Sequence, residues 1–328
     1  MVPPTTLSAA GMTLRQADLD DAALEARVLT ALHPDEPKDP AITRHWWATE
    51  DPEWTTERWI VSEGGRDIGL AYMQHAPWAK MPERFASVGA ALYPEVRTPE
   101  RLNALHDLME ARARSDGARV FVSGAREDDP ARQAFLQARG YGEKRRMRSW
   151  ELDLAANRDA LLAMLERSRA RMREQGIRVL TFGEDPDPDK LRKVHEMNLE
   201  AERDVPTTVP HVPYPLEITE KWFASPGLRP DRIWLARVGD DIVGISMLSY
   251  PPTVGHVWTD WTGTARKIRG KGVARALKLE TVAQAMSLGV TRVRTSNDGE
   301  NAPILHVNED MGYRRIPGWI QYHLPAQA

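Results

Sequence analysis

The 328-residue chain has no cysteine, which removes disulfides, thiolate metal sites and a cysteine nucleophile from consideration. Its nine histidines are scattered, and none falls in an H-E-x-x-H arrangement, so the zinc-protease pattern is missing too. Positive charge is not in excess. Lys and Arg number 44 against 47 Asp and Glu, the formal net charge is −3, and nucleic acid is not an expected partner. No apolar run approaches the ~20 residues of a membrane span, so no membrane partner is expected either. The start, MVPPTTLSAAGM, lacks a basic stretch followed by an apolar one; no secretion leader is expected, and the cytoplasm is the expected compartment. What is present is ordinary globular material, 41% hydrophobic and 28% charged, long enough for two domains. Trp is frequent, at 11, and such large rings are expected in cores and pocket walls.

The chain repeats itself. Residues 93–120 and 265–293 align at an offset of 172, which places Arg97 on Arg269, Leu105 on Leu277, Gly117 on Gly289, Gly140 on Gly312 and Tyr141 on Tyr313. Several anchors at one long spacing mean two copies of a whole domain rather than a solenoid. Each copy reads as a first strand, one or two helices, a hairpin (the second with a turn at 239–241), another strand, a long helix, a strand, a short helix and a last strand. The long helix of the second copy is expected to bury Ala276, Leu279, Ala283 and Met286 and to end at Gly289; GWIQYHL is expected to close that copy. Interleaved strands and helices give an α/β (α+β) class with a mixed sheet. The expected division is 1–155, a helical connector at 156–175, and 176–328.

One stretch asks for a chemical explanation. TDWTGTARKIRGKGVARALK, residues 259–278, runs from a strand through two glycines into a helix. A strand, a tight glycine turn and a helix start make an anion site, because the first helical N–H groups lack backbone partners and the helix dipole is positive there. Gly270 and Gly272 let an anion approach the main chain, and Arg269 and Lys271 add full charges. Neither a P-loop nor a dinucleotide fingerprint fits; the latter's last glycine is Arg275.

Arg269-Gly270-Lys271-Gly272-Val273-Ala274 resembles R/Q-x-x-G-x-G/A, the acyl-CoA signature of the GNAT superfamily of N-acetyltransferases, and NAPILHVNEDMGY resembles that family's asparagine-led helix. The element order agrees over both copies, as in tandem GNAT proteins of the mycothiol synthase kind. The resemblance implies a tandem duplication of the GNAT fold, each copy a mixed central sheet flanked by helices. It also implies acetyl-CoA as co-substrate, with its diphosphate on the amides of 270–274 (Val273 and Ala274 included) and its pantetheine along Thr262, Gly263 and Thr264.

At the same offset Gly270 becomes Thr98, Lys271 becomes Pro99, Gly272 becomes Glu100, Asp260 becomes Val88, Asn301 becomes Asp129 and Asn308 becomes Leu136. Proline removes a donor and glutamate repels phosphate, so cofactor binding is assigned to the second copy. Strand alternation would put Asp260 on one face with Thr262, Thr264 and His256, as a base for the amine or as a buried carboxylate bonded to a backbone amide or a tryptophan such as Trp258. Asn301 and Asn308 share a helix face; Asn301 is an expected N-cap, and both are candidates to contact the cofactor. Asn308 stands where many members of the resembling family carry a tyrosine held to protonate the leaving thiolate, which an asparagine cannot readily do. Residues 200–223 are expected to close the acceptor pocket, with Glu202, Asp204, His211, Tyr214 and Trp222 lining it, or to form a solvated charged loop. The expectation is transfer of an acetyl group to a small-molecule amine by direct attack in a ternary complex, in a monomer or homodimer. The alternatives are a catalytically weak acyl-CoA sensor and a protein or peptide N-acetyltransferase.

Overall fold

The structure is a computed structural model describing residues 6–326. The first five residues, part of the segment read above for a leader, lie outside the described residues. The first copy gives β1 (Thr6–Ala9), β2 (Met12–Gln16), α1 (Ala22–Leu32), α2 (Pro40–Ala48), β3 (Thr55–Glu63), β4 (Arg66–His75), β5 (Phe85–Leu92), α3 (Pro99–Ser115), β6 (Val120–Arg126), α4 (Pro130–Ala138) and β7 (Gly142–Asp153). The connector α5 (Arg158–Glu174) leads into β8 (Arg178–Thr181), α6 (Lys190–Glu202), α7 (Leu216–Phe223), β9 (Ile233–Val238), β10 (Asp241–Ser249) and β11 (Val257–Thr264). α8 (Val273–Ser287), β12 (Arg292–Asp298), α9 (Ala302–Asp310) and β13 (Arg314–Pro325) complete the second copy.

The duplication is structural as well as textual. β5, β6, α4 and β7 have the same bounds as β11, β12, α9 and β13 once 172 is added. Gly117 and Gly289, and likewise Gly140 and Gly312, end equivalent helices in the left-handed conformation, where a β-carbon would be strained. Among the described residues no helix is long and apolar enough to cross a membrane.

All thirteen strands form one sheet, in the order β1-β2-β3-β4-β5-β6-β13-β7-β12-β11-β10-β9-β8. Here the expected role of GWIQYHL is overturned. β13 does not close its own copy; it runs antiparallel to β6 of the first, Tyr322 opposite Ser123, while β7 pairs β12 of the second, Ser149 opposite Ser296. The two final strands are exchanged and pair with each other at the sheet's centre. Burial is the physical reason. Ile320 and Tyr322 fill the first copy's core with Leu105 and Phe121, and Trp150 and Leu152 fill the second's with Leu279 and Val282. A division at 155 therefore separates β7 from the strand it extends.

α8 is buried more completely than one amphipathic stripe would require, from Ala276 through Val282. The connector explains this: Leu161 and Leu165 of α5 pack into the same core, and Arg169 of α5 holds Glu280 of α8 with two bonds of 2.8 Å.

Candidate active site

β11 and β12 are parallel neighbours only at Val257–Val293 and Trp258–Arg294; beyond that they part into a V. On the other side of β11 the ladder with β10 slips, Met247 facing Trp261 and Leu248 facing Thr259, which leaves Asp260 in a bulge. The bulge overturns the expected common face. Thr262 bonds Ser246 at 2.9 Å on the side where Gly244 meets α8, whereas Asp260 turns to the other side and accepts from Trp222 Nε1 of α7 at 2.7 Å. The tryptophan that meets Asp260 is thus Trp222, not Trp258. His256 is elsewhere, 2.9 Å from the carbonyl of Asp35 in the first copy.

Next to the V lies a cavity of about 800 Å³, bounded by Trp261 to Thr264 of β11, by residues 268–270 and 272–275, by Asn301 and by Ile304 and Val307 of α9, and by Arg171 of the connector; Lys271 does not line it. Gly270 and Gly272 both have positive φ, +76° and +87°, and Gly272 is the N-cap of α8 with no side-chain cap bond. The front of α8 therefore presents its free N–H groups, and an added β-carbon at Gly270 would meet nothing within 4 Å. Arg269 is already engaged: Asp204 accepts from it at 2.6 Å and from Arg266 as well, and these two guanidinium groups hold the Asp204 carboxyl well below its usual range. Asp204 thus tethers the glycine loop to the end of α6. Lys271 is exposed, and its carbonyl accepts from Gln175 at 3.3 Å. Arg171 and Gln175 were not expected at the site; their connector helix carries no motif, and only packing brings it to the loop.

The two asparagines separate. Asn301 is the N-cap of α9 and lines the cavity, but its side chain makes no capping bond, contrary to expectation. Asn308 does not reach the cavity. It is 0% exposed, donates to Asn297 Oδ1 of β12 at 2.7 Å, and its own Oδ1 has no partner among the described residues.

On the α6–α7 side, Tyr214 donates to Glu202 at 2.6 Å. Burial pushes the Glu202 carboxyl up against the opposing hydrogen bond from Tyr214, and burial pushes Asp260 up against that from Trp222. Trp261 forms a wall, its Nε1 3.0 Å from Asn198 Oδ1. The loop between α6 and α7 is pinned: Arg145 of β7 donates to the Pro206 carbonyl at 2.8 Å, and Thr208 bonds Gln321 of β13 at 2.5 Å. Residues of the first copy and the exchanged strand thus hold the α6–α7 loop, which no local pattern in 200–223 signals.

The equivalent corner of the first copy is shut. Thr98 caps α3 through a 3.4 Å bond to Arg101 N, Pro99 supplies no N–H, and Arg97 is spent on Asp129 at 2.8 Å. Arg132, the counterpart of cavity-lining Ile304, is buried there between His106 and Ser123.

Residues 191–313, from the start of α6 to the residue before β13, match the acetyltransferase (GNAT) family model. Among curated proteins no sequence matches the chain. Similar solved structures include a tandem GNAT protein from the clavulanic acid biosynthesis pathway, 18% identical, with a TM-score of 0.73 over 97% of this chain and 99% of that one. Another is a GCN5-related N-acetyltransferase from Sphaerobacter thermophilus, 19% identical, with a TM-score of 0.64 over 97% of each chain. A third is the glucosamine N-acetyltransferase region of a fungal multi-domain β-N-acetylglucosaminidase, 13% identical, with a TM-score of 0.66 over 99% of this chain and 38% of that one. Residues 191–313 of the second copy thus match the acetyltransferase (GNAT) family in sequence, and the whole chain has the fold of a tandem GNAT protein.

Proposed function

We propose that the protein is an acetyl-CoA-dependent N-acetyltransferase that acetylates an amine of a small molecule by direct attack in a ternary complex, with the cofactor in the second copy. The observation that carries this reading is the uncapped N-terminus of α8, with two left-handed glycines before it, opening on a cavity of about 800 Å³. The dipole alone contributes ~0.3–1 kcal/mol, and micromolar affinity needs about 8 kcal/mol, so the loop amides must act with the rest of the cavity. The N–H groups of 270–274 suit a diphosphate. The edge of β11 at Thr262–Thr264, freed where β12 diverges, suits an amide-bearing arm that adds like a strand. When bound, acetyl-CoA supplies the acetyl group as a thioester.

The remaining work falls to this chain's side chains. Asp260, left out of the ladder and turned toward α7, takes the proton that the attacking amine must shed. Its raised pKa brings it nearer neutrality, where a base both accepts and releases protons. Trp222 fixes its orientation. Glu202 and Tyr214, bonded to each other, are the polar pair of the α6–α7 side that would meet the amine. Asn308, sealed in the core, holds α9 to β12 and moves no proton. The pinned loop 203–215 favours a small acceptor over a protein chain, which would need an open groove.

Two measurements test this together: titration calorimetry with CoA, and thiol release from acetyl-CoA across a chemically broad amine library. Micromolar CoA binding with turnover of at least one amine class is expected. Binding without turnover of any amine would favour the sensor, and no binding would remove the reading altogether.

A further inference from the structure

A second cavity, of about 660 Å³, lies beyond the end of β12, where β7 runs on without a neighbour on that side. It is built from both copies: β7 of the first, the 206–208 stretch of the α6–α7 loop, and the β12–α9 turn at 298–300. Pro206 and Glu300 border this cavity and the cofactor cavity alike, so the two adjoin.

The charges of its lining do not cancel. Arg145 is held by Asp298 and the Pro206 carbonyl, Arg146 by Glu143 at 2.8 Å, and Arg315 by Glu127 at 3.4 Å. Lys144 has no partner among the described residues, but it is exposed. Arg148 is half-buried, and among the described residues it too has neither an acidic partner nor a hydrogen bond. Its stem runs along Gly299, whose close approach to the Arg146 carbonyl, 2.9 Å from an added β-carbon, holds the β12–α9 turn against β7. A half-buried cation without a partner is costly to keep, and a planar guanidinium fork matches an oxyanion with two parallel bonds. Glu300, at the boundary of the two cavities, is exposed and has no cationic partner among the described residues, which suits an ammonium group on its way in.

We infer that the junction cavity holds the anionic end of the acceptor, and that Arg148 grips it: the substrate is an amine that also carries a carboxylate or a phosphate. The inference rests on the acetyltransferase reading above and narrows its substrate class. The test compares acceptors that differ only in the anion, amino acids against the matching amino alcohols and phosphoethanolamine against ethanolamine, by thiol release at saturating acetyl-CoA. The anionic member of a pair is expected to have a kcat/KM at least about tenfold higher, the scale of one charge-assisted contact, and the preferred pair tells carboxylate from phosphate. Arg148→Gln is expected to erase that ratio by lowering the anionic acceptor's kcat/KM, and to leave CoA affinity unchanged by calorimetry. Arg148→Lys should restore part of it. Equal or better turnover of the neutral members, or a ratio that survives Arg148→Gln, overturns the inference while leaving the acetyltransferase reading in place. Should no acceptor turn over, thermal shift of the CoA-saturated protein with the same pairs decides: a shift specific to the anionic member and lost in Arg148→Gln supports the inference, and its absence overturns it. Failure of CoA to bind strikes the underlying reading, and the same shift on the free protein then decides the cavity's role by the same criterion.

Discussion

The ammonium of Lys278 lies 4.9 Å from the centre of the Tyr313 ring and has no hydrogen-bond partner among the described residues, though the residue is only 1% exposed. Burial pushes its pKa down to about 7. In the unfolded chain the same group titrates near the ordinary lysine value of 10.5. Between those two values the unfolded state holds more protons, so stability should rise as pH climbs from about 7 toward 10.5 and be flat in this respect below 7. Lys278→Met should stabilise the fold at pH 7 by about 1–3 kcal/mol, the scale of an unsatisfied buried polar group, and should remove that rise. Thermal melts of both proteins between pH 6 and 9.5 check this; parallel curves would mean that Lys278 is not the group responsible.

Gly272→Glu should abolish CoA binding. A glutamate at the N-cap of α8 sets a carboxylate before the free N–H groups; at the aligned position of the closed first copy Glu100 lies in the first turn of α3, whose N-cap is Thr98. With φ at +87°, any β-carbon there is also strained, at a cost of roughly 1–3 kcal/mol. The variant should therefore be folded by circular dichroism, somewhat less stable, and at least about a hundredfold weaker for CoA by calorimetry, the loss of several charge-assisted bonds at once. Retained affinity would put the diphosphate somewhere other than this turn.

The doubling and the element order were legible because Gly117 and Gly289, Gly140 and Gly312 mark helix ends that only a left-handed residue serves, and they recur at one spacing. The loop of 269–274 was legible for the same reason: glycine placement encodes backbone conformation directly. The bulge at Asp260 was not. One extra residue in a ladder leaves no trace in TDWTG, and it moves a side chain to the opposite face. The destination of β13 was equally hidden, since Ile320 and Tyr322 are apolar alternates that would fit either core. Arg171, Arg145 and Arg148 reach the site across the copy boundary, where no local period or motif operates. Asp204 read as an acceptor ligand from its sign alone; the arginines that occupy it lie more than sixty positions away.

Asp260→Asn should lower kcat by about 10²–10⁴, the usual contribution of a positioned base, and leave CoA affinity unchanged. The raised pKa also fixes the direction of the pH effects. Activity should grow with pH through a value above the ordinary 3.8, and the asparagine variant should lose that acidic limb. Because the folded pKa lies above the unfolded one, the native state holds the extra proton between them, so this carboxyl makes stability fall as pH rises through that window. Asp260→Asn should accordingly melt no lower than the parent at pH 7. Trp222→Phe removes the bond that favours the ionised form and should shift the acidic limb to higher pH. Rate profiles of the three proteins separate a base from a structural carboxylate, since the latter would move stability and leave the limb in place.

The strand exchange makes paired mutations act at a distance. Ile320→Ala, near the end of the chain, should destabilise the first copy by about 2–5 kcal/mol, the cost of a cavity in a packed core, because its side chain lies with Leu105 and Phe121. Leu152→Ala, in the first copy's last strand, should instead loosen the second, where it faces Val293 and packs on Leu279. Hydrogen exchange resolves the two. In the first variant protection should fall in β5 and β6 while CoA binding is kept; in the second it should fall in β12 and α8, with weaker CoA binding. The same geometry means that a chain cut at residue 155 and expressed as two pieces should yield neither piece as a folded monomer, but should recover structure on co-expression, because each piece carries the strand that completes the other. Two stable, independent pieces would contradict the exchange.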